Sequence, residues 1–522
     1  MESPSPSRVP PFVTSNKPKM NRFAIGCSLL ASMNAIVMGY DIGVMSGASI
    51  FIKADLNLTE NQSGIVAGIL NIYSLVGAAA AGKISDWMGR RYTIVFAATI
   101  FFAGSLLMAF ANSYEFLMFG RFVSGVAVGY AMMIGPVYTA EIAPASCRGL
   151  LTSFTEVFVN IGILLGYISN LALSTLPINL NWRLMLGLGT IPSIILGLGV
   201  LAMPESPRWL MMQGCLGKAK RVLWKISESH EEAELRFSEI KGAAGISPDI
   251  NDEFCEPPER TNPKDVWTQL LVQPTRAVRH MLVVALGIHF FQQASGIDAI
   301  VLFGPRIFKK AGMETTRQQL LAQVALGVIK TLFIFVATFF LDGIGRRPLV
   351  LSSIGPMALT LFFLAIGLKV VDHNPDHRVI ACVALKIFCI FAYVAAFSIG
   401  MGPIGYVYCS EVFPMALRAQ GCSIGVVLNR VMSGLISMTF LPLSSAVSTG
   451  GSFFIYSAIA AIGFVYFYLF LPETKGMTLE EIDQLFGSYI FWRLTLIELR
   501  RNDSNETRNQ DERRPCDNMA SP

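Results

Sequence analysis

The stretch Asp86-Trp-Met-Gly89-Arg90-Arg91 returns 256 residues later as Asp342-Gly-Ile-Gly345-Arg346-Arg347. Two further pairs keep almost the same spacing. Glu141-Ile-Ala-Pro144-Ala-Ser-Cys-Arg148 returns 270 residues on as Glu411-Val-Phe-Pro414-Met-Ala-Leu-Arg418, and Pro204-Glu205-Ser206 returns 268 residues on as Pro472-Glu473-Thr474. Three motifs recurring in one order at nearly one offset mean that the chain is built twice.

Working outward, each charged motif is bounded by apolar runs such as Tyr92 to Ala111 and Gly451 to Leu471. These are about 20 residues long, the length a helix needs to cross the hydrocarbon of a bilayer. Composition agrees: 53% of the 522 residues are hydrophobic and only 15% are charged, whereas a soluble domain is about a quarter charged. The runs predict spans near 23–50, 62–82, 92–111, 114–138, 150–173 and 182–202, and six more beginning near 279, 318, 348, 380, 419 and 452. The expected fold class is an all-α membrane protein of twelve helices in two parallel six-helix repeats, with the lipid bilayer as partner and no nucleic acid. The expected divisions are a polar N-terminal tail (1–22), a first bundle (23–203), a helical linker (204–278), a second bundle (279–472) and a polar C-terminal tail (473–522). Parallel repeats place a pathway at mid-membrane between two halves that rock against each other.

Arg90, Arg91, Arg148, Arg346, Arg347 and Arg418 fall in alternate loops on the same side as the Lys- and Arg-bearing linker. Cytoplasmic loops hold the excess of basic residues, so both termini are expected in the cytoplasm; Arg306, Lys309 and Lys310 are exceptions on the other side. No short apolar stretch with a small-residue cleavage site precedes Phe23, and the first span is expected to act as its own targeting signal. The nine cysteines form no CxxC and have no histidine at metal-ligand spacing, so neither a metal nor a disulfide framework is expected.

Ionisable side chains inside a membrane cost several kcal/mol unless paired or solvated, which makes each a functional candidate. Asp41, Arg121, Glu156, Asp298, Lys330, Lys386 and Arg430 fall within the predicted spans. Asp298 and Lys330, on adjacent spans, are expected to neutralise each other.

The paired D-x-x-G-R-R motifs, the run Pro136 to Gly149, Pro204-Glu-Ser-Pro-Arg208 and Gln292-Gln293-x-Ser-Gly-Ile together resemble the sugar porter family of the major facilitator superfamily, over about Phe23 to Phe486. Within it, Gly39-Tyr-Asp41-Ile-Gly-Val-Met-Ser-Gly47 and Gly421 to Gly434 look most like plant polyol/monosaccharide proton symporters. The resemblance implies the major facilitator fold, a small neutral polyol (sorbitol, xylitol or inositol type) or monosaccharide as substrate, a proton as coupling ion, no other cofactor, plasma-membrane location and action as a monomer. Asp41 and Arg121 match the carboxylate and arginine of family symporters. An ionised Asp41 attracts Arg121 in a low-dielectric cleft and a protonated one does not, so one proton biases a two-state machine.

The resemblance also implies that Gln292, Gln293 and Asn429 bind substrate, since amides offer donor and acceptor together, as vicinal hydroxyls do. Glu156 stands where many relatives have glutamine, Asp298 and Lys330 where asparagine is usual, and Tyr406 where tryptophan is usual. The pocket is therefore expected to differ from a glucose site. At one membrane face Asp86, Arg90, Arg91, Glu141, Arg148 and Glu205, with Asp342, Arg346, Arg347, Glu411, Arg418 and Glu473, are expected to form a latch whose ion pairs exist only when the inner side is closed. Gly402-Pro403 is expected to bend or break the tenth span.

The chain has no HExxH, no GxSxG and no P-loop, and only five histidines, so an enzyme is not expected. A facilitative carrier lacking proton coupling and a non-transporting sugar sensor are the alternatives within the same fold.

Overall fold

A computed structural model describes residues 21–143, 148–243, 267–373, 380–413 and 417–475, together with 246, 254, 485 and 486. The expected N-terminal tail, most of the C-terminal tail and part of the linker lie outside these residues. Within them, twelve helical spans are long and apolar enough to cross a membrane. They are α1 Arg22–Asp55, α2 Glu60–Met88, α3 Arg90–Ala109, α4 Tyr114–Ile142, α5 Leu151–Leu173, α6 Ile178–Leu201, α7 Arg276–Ala311, α8 Thr316–Phe340, α9 Arg346–Lys369, α10 Cys382–Cys409, α11 Gln420–Val447 and α12 Thr449–Phe470. Helix is the only open-chain answer to lipid, where no water can satisfy backbone N–H and C=O groups. Large apolar side chains such as Phe110, Leu198 and Phe388 remain outward-facing as a lipid surface.

Two starts repeat in atomic detail. Thr59 and Gln62 close a capping box on α2, and Thr315 and Gln318, each 256 residues on, close another on α8. Each box satisfies two orphan backbone donors, which lets α2 begin before the expected residue 62.

Four spans are interrupted. α1 breaks at Met33 and α6 at Leu188–Gly189. α7 breaks at Gly296, whose φ of 87° is left-handed, a conformation glycine adopts without steric cost. α10 breaks at Gly400, slightly ahead of the expected Gly402-Pro403. Proline clashes with the carbonyl four residues earlier but fits the first turn of a helix, so the break precedes it and Pro403 sits in the opening turn of the second segment.

Glycine lets backbones touch. A Cβ on Gly43 of α1 would lie 2.3 Å from the Ile163 carbonyl oxygen of α5, and one on Gly77 of α2 would lie 2.0 Å from that of Val126 of α4. Small residues drive such close packing where lipid removes the hydrophobic incentive for helices to associate. α1–α6 pack chiefly on one another, as do α7–α12; the halves meet through α2 on α11, α5 on α8 and α1 on α7.

The linker helices Pro207–Met212, Leu216–Ile226 and His230–Ala243 lie against one end of the first half. Trp209 Nε1 donates to the Asp86 carbonyl and Arg236 Nη2 to that of Ile142. Asn21, just before α1, donates to the carbonyls of Lys225 and Ser227, which puts the start of α1 on this linker side.

Candidate functional site

On the linker side the repeat is reproduced atom by atom. α3 starts after Gly89 (φ 93°), where a Cβ would lie 2.4 Å from Glu205 Oε2. Glu205 accepts from the backbone N–H of Arg90 at 2.9 Å and of Arg91 at 3.1 Å. α9 starts after Gly345 (φ 103°), and Glu473 accepts from Arg346 N and Arg347 N, both at 3.0 Å. Each carboxylate thus sits on a helix N-terminus, where backbone donors and the helix dipole favour negative charge. Burial raises the Glu205 pKa, against those backbone donors, which lower it.

Arg90 pairs with Glu141 at 3.2 Å and Asp86 at 3.0 Å, and Arg346 pairs with Glu411 at 2.7 Å. Tyr138 and Tyr408 donate to the carbonyls of Pro204 and Pro472. These bonds join helices of one half and none of them bridges the two. They are present while the opposite side is bridged between halves by Arg306 and Glu60, so they brace each bundle in this conformation. Both partners of each of these pairs belong to the same half. Arg148, Asp342 and Arg418 belong to the same expected set, but their side chains lie outside the described residues, as does that of Tyr406.

Asp41 of α1 and Arg121 of α4 are both buried and meet at 2.5 Å through Oδ2 and Nη1. Arg121 Nε and Nη2 are buried without an acceptor. The guanidinium therefore donates to the carboxylate through one arm of its fork, and Asp41 is the acceptor that holds it among the described residues.

At the junction of the halves lies an amide cluster created by the two broken spans. Gln292 and Gln293 end the first segment of α7, just before the Gly296 break, and Asp298 opens the second. Gln292 Nε2 donates to the Met401 and Gly402 carbonyls beside the break in α10, at 2.8 and 3.0 Å. Asn429 of α11 joins both glutamines: its Nδ2 donates to Gln292 Oε1 at 2.8 Å and its Oδ1 accepts from Gln293 Nε2 at 3.1 Å. Gln293 Oε1, Asn160 Oδ1 and Thr155 Oγ1 are buried without a partner.

Glu156 lies one turn before Asn160 on α5, and Thr331 Oγ1 of α8 donates to the Asn160 carbonyl at 3.3 Å. Glu156 and Asp298 both feel the charges of Lys330 and Arg430. Asp298 and Lys330, expected to neutralise each other, act on one another through their charges without an ion-pair contact. Asp298 takes a hydrogen bond from Ser433, and Lys330 stands between the fields of Asp298 and Glu156. Lys386 is set apart, packed against Gly367 of α9.

Sequence reasoning missed Asn71, Asn160 and Ser433, uncharged residues within apolar runs. It also missed the bridge of Arg306 to Glu60 and Ser63 on the side opposite the linker, at 2.9 and 2.8 Å. The signal for the bridge was present: Arg306 breaks the pattern of basic residues.

Twelve spans in two repeated halves, with a buried ion pair in one half and a polar cluster where the halves meet, define a membrane transporter rather than an enzyme. The chain belongs to the sugar (and other) transporter family, whose sequence pattern matches residues 27–486. It is 58% identical over 494 residues to polyol transporter 5 of Arabidopsis thaliana, covering 94% of this chain and 91% of that one. It is 33% identical to the glucose transporter GlcP of Staphylococcus epidermidis, covering 89% and 97%. Among solved structures it resembles the proton:xylose symporter XylE bound to 6-bromo-6-deoxy-D-glucose, at 28% identity and a TM-score of 0.73, covering 89% of this chain and 99% of that one. The inward-open form of XylE from E. coli matches at 26% identity, covering 89% of this chain and all of that one, with a TM-score of 0.71.

Proposed function

We propose that this protein carries a small neutral polyol, or a monosaccharide, into the cell together with a proton by alternating access. The single observation that carries this reading is the Gln292–Asn429–Gln293 cluster, buried where the halves meet and left with Gln293 Oε1 as a free acceptor. Neutral amides match hydroxyls in both hydrogen-bonding senses and demand no charge of the solute. A relative named for polyol transport and a neighbour named as a proton:xylose symporter support the solute class and the coupling. Asp41 is the proton carrier and Arg121 its sensor. Glu156, Asp298, Lys330 and Tyr406 shape the pocket with the amides. The protein works as a monomer in the plasma membrane, with the linker side and both termini in the cytoplasm, an orientation supported by Arg90, Arg91, Arg346 and Arg347 at the linker-side helix ends.

The test is voltage-clamped expression in oocytes with sorbitol, xylitol, myo-inositol, mannitol and glucose at acid and neutral external pH. An inward current that grows with acidity, and is lost in Asp41→Asn, is expected. Tracer uptake without current makes the protein a facilitative carrier, and neither signal with any of the five solutes overturns the transport reading in favour of a sensor.

A further inference from the structure

Arg430 follows Asn429 on α11 and is buried at 7% exposure. A buried guanidinium normally binds a carboxylate directly, since desolvating an uncompensated charge is costly. Here the hydrogen-bond acceptors are neutral amides. Nε and Nη2 both donate to Asn429 Oδ1, at 3.1 and 2.5 Å, and Nη1 donates to Asn71 Oδ1 of α2, in the other half, at 3.4 Å.

A primary amide has two faces of nearly the same shape, one a donor and the other an acceptor. The doubled donation from Arg430 selects one. With Oδ1 held toward Arg430 and Gln293, Asn429 Nδ2 points at Gln292 Oε1 and at His289 Nδ1, 3.4 Å away. Gln292 Nε2 is then left for the Met401 and Gly402 carbonyls, and Gln293 spends its Nε2 on Asn429 and keeps Oε1 free. If Asn429 turned over, Gln292 Oε1 would face an oxygen and Gln293 Nε2 would face an NH2, two repulsive contacts in a buried site.

We infer that Arg430 is a positioning residue that sets the polarity of the substrate-binding amides, and that its bond to Asn71 makes that ordering depend on how the two halves meet. It touches no reacting atom; it decides which amide atoms are offered to a hydroxyl. Because Asn71 belongs to the other half, rocking at mid-membrane breaks the long Nη1 bond and loosens the cluster. That ties release of solute to the conformational change.

This inference rests on the proposed polyol transport. The experiment measures concentration-dependent uptake of radiolabelled sorbitol, or of xylitol where sorbitol is not taken up, with surface abundance measured in parallel, in wild type, Arg430→Met, Arg430→Lys and Asn71→Ala. Loss of the orienting donor in Arg430→Met is expected to raise KM by about 10-fold or more, with maximal uptake per surface copy falling less than about threefold and pH dependence kept. Arg430→Lys keeps the charge but is a single-point donor without the planar fork, and is expected to fall between, at about threefold in KM. Asn71→Ala is expected to change the maximal rate more than KM. A wild-type KM in Arg430→Met overturns the inference, as does a wild-type KM in Arg430→Lys should Arg430→Met fail to reach the surface. Unaltered KM and maximal rate in Asn71→Ala overturn the link between halves. Absence of uptake by the wild type overturns the transport reading instead.

Discussion

Arg306 of α7 and Glu60 of α2 meet at 2.9 Å across the two halves, on the side opposite the linker. Glu60 is the first residue of its helix and also binds Lys53, while Arg306 donates to Ser63 and lies over the ring of Phe303. Arg306 is therefore a tie between halves on this side, alongside Tyr167 of α5, whose hydroxyl donates to the Val301 carbonyl at 3.1 Å, and both reach the segment of α7 beyond the Gly296 break.

Glu60 is half exposed, so the pair is screened and is worth about 0.2–1 kcal/mol. Arg306→Ala is accordingly expected to shift the balance toward opening on this side by about 1.5- to 5-fold. A cysteine placed at Ser437, buried against Gly68 in the same α2–α11 contact, reports it as faster labelling by an impermeant maleimide added from that side. High salt should mimic the substitution in the parent. Equal labelling rates in parent and variant would show that the tie does not hold the faces together.

Removing Arg121 leaves Asp41 buried with no partner, a change that costs about 3–5 kcal/mol when a buried pair is broken. Arg121→Leu is thus expected to lower the melting midpoint in detergent and reduce surface abundance. Asp41→Asn, which removes the charge but keeps the shape and an acceptor oxygen, is expected to fold and to take up solute without pH dependence. Full pH dependence in Asp41→Asn would remove Asp41 from the coupling role.

Gly43→Ala forces a methyl to within 2.3 Å of the Ile163 carbonyl, and overpacking of this kind costs about 1–3 kcal/mol. Nothing lies within 4 Å of a Cβ on Gly82 in the interior of α2. Gly82→Ala is expected to stabilise slightly, by about 0.5–1 kcal/mol, because alanine loses less freedom in a helix. Melting midpoints moving in opposite directions check both; a matched fall in the two would mean that helix apposition is not what Gly43 serves.

Glu205→Gln and Glu473→Gln each weaken the anion on a helix N-terminus and are expected to cost about 0.3–2 kcal/mol apiece. Their bonds stay inside separate halves, so the double variant should lose the sum to within about 0.5 kcal/mol. A larger departure from additivity, read from thermal melts of the four proteins, would reveal coupling between the two networks.

The spans and the doubling were legible because each rests on local information. An apolar run of about 20 residues makes a helix in lipid wherever it is placed, and Asp86 to Arg91 copied as Asp342 to Arg347 needs no coordinates. The capping boxes at Thr59 and Thr315 could have extended the repeat, since Thr-x-x-Gln stands at both positions. The exact break in α10 was missed by two residues because proline acts on the turn preceding it, and Gly400 absorbed the bend. On the linker side, spacing singled out Arg90, Glu141, Glu205, Arg346, Glu411 and Glu473 but cannot tell whether an Arg–Glu pair joins two helices of one bundle or two bundles.

By itself the sequence determined that the chain is a twelve-span membrane protein built twice, and it singled out the ionisable groups placed inside the membrane, because hydropathy and repetition are properties of the chain alone. Only the tertiary structure decided which polar groups meet. Arg306 reaches Glu60 across 246 positions and Arg430 reaches Asn71 across 359, while Asp298 turns to Ser433. Such meetings follow from where α7 and α10 break and from how closely glycine lets helix backbones approach, and a few ångströms or one turn of rotation there selects a different partner.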